Sequence, residues 1–412
     1  MRRIYSILIS GYGLLVRTAA LFNVKARQWT EGRRELFGNL TEALKSIDRK
    51  KNPIIWFHVS SLGEFEQGRP VIEAIRKRWP EKKILLTFFS PSGYEVRKNY
   101  SGADYVTYLP LDTPANARKF LNIVMPEKVF FVKYDFWFNY LKNIHDLNIP
   151  LYFISALFRK DQHFFKWYGG WFRQHLGFVT RFFVQNMESE KLLKSAGIIA
   201  VTLTGDTRFD RVFAIAAQST PLPLIEKFCD GKKVFIAGSS WEPDEAVYFP
   251  LMKQPGLNMK FIIAPHDTSA GRIRYIREHL DQPVVCFSEL NEENALETDV
   301  LLIDSVGILA QLYRYATIAF IGGGFGSGLH NIQEPVTFGV PVFFGPGYQK
   351  FREARELVLL GGAFSITSSH ELTEKVLEIT GSFQEHKRVS YICSDYVAVN
   401  RGATKKIMQY LE

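Results

Sequence analysis

Two serines, a glycine and a glutamate in the segment 58–65 (HVSSLGEF) stand between an apolar run and a helical pattern. A carboxylate at the end of a buried strand can take a proton from a substrate hydroxyl, so we predict that Glu64 is a general base. The loop around the acceptor then comprises Ser60, Ser61 and Gly63. The spacing of Ser61 and Glu64 is equally that of a capping box. Both interpretations stay open, and helix amides nearby predict a low pKa for Glu64, hence a modest base.

A second candidate site is the glycine-rich segment 321–335 (IGGGFGSGLHNIQEP), which follows another apolar run. Glycines allow backbone amides to approach an anion closely. Asn331 and Glu334 have the spacing of a helix start, and a carboxylate near a phosphate suits ribose hydroxyls, so we predict that role for Glu334. The segment matches neither the Walker A motif nor the usual dinucleotide fingerprint. A plain tight turn is the alternative, although one or two glycines would suffice for it.

A third candidate site combines the segments 238–241 (GSSW) and 264–267 (APHD), which follow two further apolar runs. Hydroxyls and amides at a helix start suit a phosphate, Trp241 offers a stacking face, and His266 can donate to an anion. Ordinary loop chemistry explains any one of these residues alone. Their common position at strand ends favours a binding site.

Short apolar runs alternate with amphipathic segments in two series along the chain, which indicates parallel strands joined by helical crossovers. The runs are 54–59, 84–89, 105–109, 128–132, 151–155 and 181–185, followed by 233–238, 260–265, 284–287, 300–304, 318–322 and 341–345. The predicted fold class is therefore α/β, with two doubly wound sheets in tandem. Ligands bind such sheets beyond the carboxyl ends of the strands, where all three candidate sites lie.

A chain of 412 residues suits two domains. We predict an N-terminal membrane anchor over 1–22, a first Rossmann-like domain over 23–210 that binds the acceptor, and a second over 211–390. A C-terminal helix over 391–412 is expected to pack back on the first domain. The 46% apolar and 23% charged composition excludes a disordered or polytopic membrane chain.

The net charge of +9 is unevenly distributed, since residues 1–205 carry 31 basic and 17 acidic residues and residues 206–412 carry 20 and 25. The basic half predicts a polyanionic partner. We exclude nucleic acid because the aromatic residues of this half fall in core-like runs. The three cysteines are widely spaced, which favours a reducing cytoplasm over a disulfide framework. No metal-ligand pattern occurs, so no metal is predicted.

The N-terminal run 4–16 is apolar and uncharged but shorter than the roughly 20 residues that span a bilayer. Basic residues flank it at Arg2, Arg3, Arg17, Lys25 and Arg27. This pattern predicts an anchor that lies in the membrane interface. An ordinary buried first helix is the alternative, and the run lacks the cleavage site of a signal peptide.

Taken together, the motifs resemble those of GT-B glycosyltransferases. The segment 58–65 looks like the His-x-x-Ser-x-Gly-Glu signature of the 3-deoxy-D-manno-octulosonic acid (Kdo) transferases of lipopolysaccharide synthesis. Further matches to that family are the segments 29–37 (WTEGRRELF), 205–210 (GDTRFD), 237–241 (AGSSW) and 322–347. The resemblance covers almost the whole chain.

The resemblance implies a GT-B fold with an interdomain cleft and transfer of Kdo from CMP-Kdo to a lipid A precursor, by an inverting, metal-independent route without a cofactor. It places the protein at the cytoplasmic face of the inner membrane, against an anionic surface. Glu64 would deprotonate the acceptor hydroxyl. The residues implied in donor binding are Ser239, Ser240, Trp241, His266, Gly323, Gly324, Asn331 and Glu334, the first two and the glycine amides at the CMP phosphate and the last two near the ribose.

Some positions depart from the family pattern. Pro265-His266-Asp267 stands where Arg-His-Pro is common, and Arg272 is a candidate replacement for the missing cation. Lys133 and Asp135 occupy a segment where Glu-Thr-Glu is common. A GT-B transferase or epimerase that uses a UDP-sugar therefore remains an alternative, as does a membrane-associated scaffold with a degenerate nucleotide site, against which the retained Glu64 and Glu334 motifs argue.

Overall fold

The computed structural model describes residues 1–326 and 328–412 of the chain. It divides into two compact units, the first formed by residues 1–211 and 401–412 and the second by residues 212–400. Each unit is built on a parallel seven-stranded sheet with helices between the strands. The predicted α/β class with two tandem doubly wound sheets is therefore confirmed.

In the first unit the seven strands have the spatial order β3-β2-β1-β4-β5-β6-β7. They are β1 (Ile54–Val59), β2 (Lys83–Phe88), β3 (Tyr105–Tyr108), β4 (Lys128–Val132), β5 (Leu151–Ala156), β6 (Arg181–Val184) and β7 (Val201–Leu203). The helices up to the boundary are α1 (Arg2–Ala19), α2 (Val24–Glu31), α3 (Leu36–Lys45), α4 (Leu62–Arg78), α5 (Pro91–Arg97), α6 (Pro114–Val124), α7 (Phe138–Asp146), α8 (Gly170–Leu176), α9 (Met187–Ser195) and α10 (Arg208–Gln218).

In the second unit the strand order is β10-β11-β9-β8-β12-β13-β14. The strands are β8 (Lys233–Ser240), β9 (Met259–Pro265), β10 (Val284–Cys286), β11 (Val300–Leu302), β12 (Ile318–Ile321), β13 (Val342–Phe344) and β14 (Ala363–Ser365). The remaining helices are α11 (Pro223–Cys229), α12 (Glu242–Met252), α13 (Ala270–His279), α14 (Leu309–Leu312), α15 (Gln333–Thr337), α16 (Arg352–Leu360), α17 (Ser369–Gly381), α18 (Phe383–Asn400) and α19 (Ala403–Leu411). The last of these, α19, belongs to the first unit.

The central strands are buried on both faces, which is why they are continuous apolar runs rather than alternating ones. In β1, Trp56 belongs to one apolar layer of the first unit and its neighbour Phe57 to the other. Phe57 stacks on Phe130 of β4 with ring centroids 4.7 Å apart. These layers hold the strand ends rigidly, so the loops that follow the strands are well positioned.

Strand order reverses between β1 and β4 in the first unit and between β8 and β12 in the second. At such a switch point the loops after the two neighbouring strands diverge and leave a crevice for a ligand. The loops concerned follow β1 and β4 in the first unit, and β8 and β12 in the second. Three of the four contain residues that the sequence marked as candidate site residues.

Helix α1 is attached to the first unit by buried polar contacts. The Tyr5 hydroxyl donates to Asp112 Oδ2 (2.7 Å), Arg2 Nε donates to Asn139 Oδ1 (3.1 Å), and Asn139 Nδ2 donates to Ser6 Oγ (3.2 Å). The large apolar side chains that α1 leaves exposed include Ile4, Ile7, Leu8, Leu14 and Leu15. No helix in the described part of the chain is long and apolar enough to cross a membrane.

Candidate functional site

Glu64 lies in the first turn of helix α4, just beyond the carboxyl end of β1. Its Oε2 accepts hydrogen bonds from the amides of Ser60 (2.6 Å) and Ser61 (3.1 Å), and the Ser61 hydroxyl accepts from the Glu64 amide (3.4 Å). The capping box predicted from the spacing is therefore formed. The side chain is only 6% exposed. A Cβ added to Gly63 would meet no atom within 4 Å, so the loop is open at that position.

Asp135, in the loop after β4, lies beside Glu64 and the Ser60 side chain. Burial raises the pKa of Glu64, and bonds from the Ser60 and Ser61 amides and the nearby Lys133 ammonium only partly offset it. Burial and the Glu64 charge hold the pKa of Asp135 well above its usual range. The low pKa expected for Glu64 is thus wrong, because desolvation outweighs the helix amides.

Glu64 and Asp135 have different roles because their surroundings differ. Glu64 receives two backbone N–H bonds, which favour its ionised form, whereas Asp135 has the carboxylate of Glu64 as its neighbour. Asp135 therefore retains a proton more readily than Glu64 does. This arrangement keeps Glu64 available as a base, with a pKa closer to neutrality than an exposed glutamate has.

His58 forms the buried wall behind this pair. Its Nε2 accepts from the Trp137 indole (2.9 Å) and its Nδ1 lies 2.9 Å from Thr87 Oγ1, so the proton is on Nδ1. Complete burial lowers the pKa of His58 to about 3. The imidazole is therefore neutral, and its Nε2, 3.5 Å from Asp135 Oδ2, forms no ion pair with that carboxyl. We assign His58 a positioning role.

In the second unit, Ser239, Ser240 and Trp241 follow the regular part of β8. The Ser240 hydroxyl donates to Glu245 Oε1 (3.2 Å) and accepts from the Tyr248 hydroxyl (3.1 Å). Ser240 is 1% exposed, and its hydroxyl proton is already used in the bond to Glu245. Ser239 has a backbone φ of 54°, a conformation that few side chains adopt and that often marks functional loops.

The glycine-rich loop packs backbone against backbone. A Cβ at Gly322 would come within 2.2 Å of the Ser239 carbonyl oxygen, and one at Gly324 within 2.5 Å of the Gly345 amide nitrogen. The Gly323 amide donates to Asp244 Oδ2 (2.9 Å), which also accepts from the Trp241 amide (2.9 Å). A cavity of about 380 Å³ opens against this loop, lined in part by Gly324.

Trp241 and His266 lie together with a third ring that the sequence did not indicate. The His266 ring stacks on Trp241 with centroids 4.4 Å apart and on His330 with centroids 4.7 Å apart. Trp241 Nε1 donates to His330 Nε2 (3.2 Å). Burial and the neighbouring His266 lower the pKa of His330. His266 itself is exposed and free to contact a ligand, while it covers one face of Trp241.

Asn331 and Glu334 are joined directly, since Asn331 Nδ2 donates to Glu334 Oε1 (3.1 Å). Asn331 Oδ1 accepts from the Gln333 amide (3.1 Å) at the start of α15. Arg272 donates to the buried Glu245 carboxylate, so its charge is matched inside the unit. Residue 327 of the loop lies outside the described residues. Among the residues that are described, no three His, Cys, Asp or Glu side chains cluster as metal ligands would.

The structure therefore brings Glu64, Ser60, Ser61 and Gly63 together in the first unit, and the predicted donor-binding residues into neighbouring loops of the second. Asp135 and Asp244 are the residues whose partnership the sequence did not reveal. Asp135 was visible only as a departure from a family pattern, although it directly follows a predicted strand.

Two Rossmann-type sheets in tandem, each with polar residues at its switch point, make up the GT-B fold. Solved structures share this fold. The UDP-GlcNAc 2-epimerase from Neisseria meningitidis bound to UDP-GlcNAc is 16% identical, has a TM-score of 0.58, and is matched over 87% of this chain and 99% of that chain.

Sequence comparison points to one family. Residues 31–211 match the model for the 3-deoxy-D-manno-octulosonic-acid transferase (kdotransferase) family. The chain is 28% identical to the 3-deoxy-D-manno-octulosonic acid transferase of Aquifex aeolicus, over 81% of this chain and 88% of the relative. It is 25% identical to that of Haemophilus influenzae, over 87% and 86%. Over most of its length the chain is thus similar to Kdo transferases, which are glycosyltransferases.

Proposed function

We propose that the protein transfers Kdo from CMP-Kdo to a lipid A precursor of the lipid IVA type, with inversion and without a metal ion. The observation that carries this proposal is the pairing of Glu64 and Asp135, in which both pKa values are raised and two backbone amides bond the Glu64 carboxylate. An inverting transfer needs a single base on the acceptor side, and Glu64 meets that requirement.

Glu64 removes the proton of the acceptor hydroxyl as the oxygen attacks the anomeric carbon of Kdo. The bond from that carbon to the CMP phosphate oxygen breaks in the same step, and CMP departs with the electron pair. Because the nucleophile enters opposite the leaving group, the configuration inverts. Asp135 retains its proton more readily than Glu64 does, so Glu64 is the carboxylate that accepts the hydroxyl proton.

The second unit stabilises the departing CMP. We assign the phosphate to the loops after β8 and β12, where Ser239, the Gly324 amide and the exposed His266 provide donors. The Ser240 hydroxyl and the Gly323 amide are engaged by Glu245 and Asp244, so these two residues shape the loop and contact the donor through other atoms. Trp241 adds its free indole face. Asn331 and Glu334 form a linked pair that suits the two ribose hydroxyls.

We also propose that α1 lies on the cytoplasmic face of the inner membrane. Its exposed apolar residues are followed by Leu21 and Phe22, which are 69% and 88% exposed. Arg3, Arg17 and Lys25 are exposed beside them and can contact anionic headgroups. Because polar contacts to Asp112 and Asn139 fix the other face of the helix, the unit would sit on the bilayer in one orientation.

Mass spectrometry tests the function directly. Purified full-length protein is incubated with CMP-Kdo and a tetra-acylated lipid A precursor, and the product should gain the mass of one or more Kdo residues. A parallel calorimetric titration should show tighter binding of CMP than of UDP. Tighter binding of UDP and an unmodified lipid would contradict the proposal and favour a UDP-sugar enzyme.

A further inference from the structure

A cavity of about 670 Å³ lies in the first unit, between α1, the segment that joins α2 to α3, and the loop after β3. Its lining combines charged, hydroxyl and apolar side chains, among them Arg17, Arg34, Trp29, Ser10, Thr30 and Leu14. None of these residues belongs to the site around Glu64. The chemistry of this lining indicates what kind of molecule the cavity binds.

The hydrogen-bond donors of the lining are incompletely used. Arg17 and Arg34 are exposed in this lining, and within residues 1–326 and 328–412 their guanidinium groups form no ion pair or side-chain hydrogen bond. A ligand with anionic oxygens would satisfy both groups.

Arg33 lies between Arg17 and Arg34 in the sequence and has a different role. Its guanidinium donates to the carbonyl oxygens of Trp29, Phe89 and Leu109 and lies over the Trp29 ring at 3.9 Å. Burial lowers its pKa to about 9. Arg33 thus fixes the cavity wall from behind, and the positive charge available to a ligand is that of Arg17 and Arg34.

One edge of the cavity is apolar and continuous with the exposed face of α1. Leu14 lines the cavity and is 66% exposed, and Ile7 and Leu15 are exposed on the same helix. Leu36 and Phe37 line the opposite side. A ligand seated against Arg17 and Arg34 would therefore extend its apolar part toward the surface that we propose faces the bilayer.

The cavity and the base lie on the same edge of one sheet. The cavity borders the loop after β3, and Glu64 follows β1, with only β2 between these strands. Neighbouring strands are about 4.8 Å apart, so the two strand ends are separated by roughly 10 Å. That is the scale of a disaccharide, with a phosphate at one end and a reacting hydroxyl at the other.

We infer that this cavity binds a phosphate group of the lipid acceptor through Arg17 and Arg34, and so positions the acceptor hydroxyl toward Glu64. This inference rests on the proposed function for the identity of the acceptor. It adds a recognition site for the phosphate at the junction between the headgroup and the acyl chains.

The test compares the double variant Arg17→Ala/Arg34→Ala with the wild type on three acceptors, namely the bisphosphorylated tetra-acyl precursor and its two monophosphoryl forms, at saturating CMP-Kdo. Loss of charge-assisted bonds should raise KM for the bisphosphorylated acceptor at least about tenfold, with little change in kcat. The increase should shrink for the acceptor that lacks the recognised phosphate.

Lys50→Ala/Lys51→Ala is the matched control, since it removes the same charge from exposed residues of the first unit outside the cavity. Its KM should stay within about twofold of wild type, because a lower overall positive charge is not the cause. Equal KM increases in the two double variants, or the same increase on all three acceptors, would overturn the inference.

Acceptor binding without donor, measured by calorimetry in detergent micelles, separates this inference from the proposed function. A wild type that transfers no Kdo contradicts the proposed function. Tighter binding of the bisphosphorylated lipid by that wild type than by Arg17→Ala/Arg34→Ala would still support the cavity as a phosphate site. Equal binding by the two proteins would overturn it.

Discussion

Asp135 lies beside Glu64 at the switch point of the first sheet, close enough that the charge of Glu64 helps to raise the pKa of the Asp135 carboxyl. The pKa values of both acids are raised. A base prepared in this way is more basic than an exposed glutamate and yet ionised, since backbone amides bond its charged form.

The pH profile of the reaction should show this coupling. Glu64 must be ionised to act, so kcat/KM should fall as pH decreases through its raised pKa, and the acid limb should lie above the usual glutamate value of about 4.3. Asp135→Asn supplies an amide N–H in place of the acid proton and should retain most of the activity. Asp135→Ala removes a neighbour that lowers the pKa of Glu64, so its acid limb should move to higher pH. Initial rates between pH 4 and 9 measure both effects.

A profile of Asp135→Ala with an unchanged acid limb would show that Asp135 does not control Glu64. Asn122→Ala, at an exposed position of α6 in the same unit, is the control for unspecific effects on activity. It should leave both the rate and its pH dependence unaltered.

The Asp244 carboxylate accepts hydrogen bonds from the amides of Trp241 and Gly323, which are the amides nearest to the predicted phosphate site. Asp244→Asn keeps an oxygen for the amides of Trp241 and Gly323 while removing a negative charge beside the nucleotide. Its affinity for CMP should therefore rise severalfold in calorimetry. Asp244→Ala leaves both amides without an acceptor and should lower the free energy of unfolding by about 1–3 kcal/mol. Weaker binding of CMP by Asp244→Asn would contradict a phosphate site next to Gly323.

The polar contacts of α1 should determine how firmly the helix is held. Asn139 bonds Arg2, Ser6 and the Asp112 carbonyl oxygen from a fully buried position. Asn139→Ala should cost about 1–3 kcal/mol of unfolding free energy and should accelerate amide hydrogen exchange along α1. If exchange in α1 is as slow in this variant as in the wild type, other contacts hold the helix.

The fold could be predicted because the central strands are continuous apolar runs bounded by turn residues. All six predicted strands of each series are present, with ends that differ by one or two residues. The structure adds β7 and β14, two edge strands of three residues each. Segments so short carry no periodicity, and their pairing depends on a neighbouring strand that is distant in sequence.

The positions of the site residues could be predicted from the sequence, but the pKa shift of Glu64 could not. Glu64 lies at a strand end with the expected capping box, yet its pKa shift has the opposite sign to the one expected. The local pattern shows the amides near Glu64, whereas its burial and the approach of Asp135 arise from the packing of β4 beside β1. The glycine-rich loop likewise needs glycine partly for its contacts with residues 239 and 345, which no local pattern reveals.

The most direct test of the account is the rate of Kdo transfer by Glu64→Gln. Glutamine retains the shape of the side chain and can complete the capping box, so the variant should fold and bind CMP with unchanged affinity. Loss of the base should lower kcat by a factor of about 10²–10⁴, while Glu81→Gln, at an exposed site of the same unit, should remain fully active. A Glu64→Gln enzyme that retains more than a few per cent of the wild-type rate would contradict the assignment of Glu64 as the catalytic base.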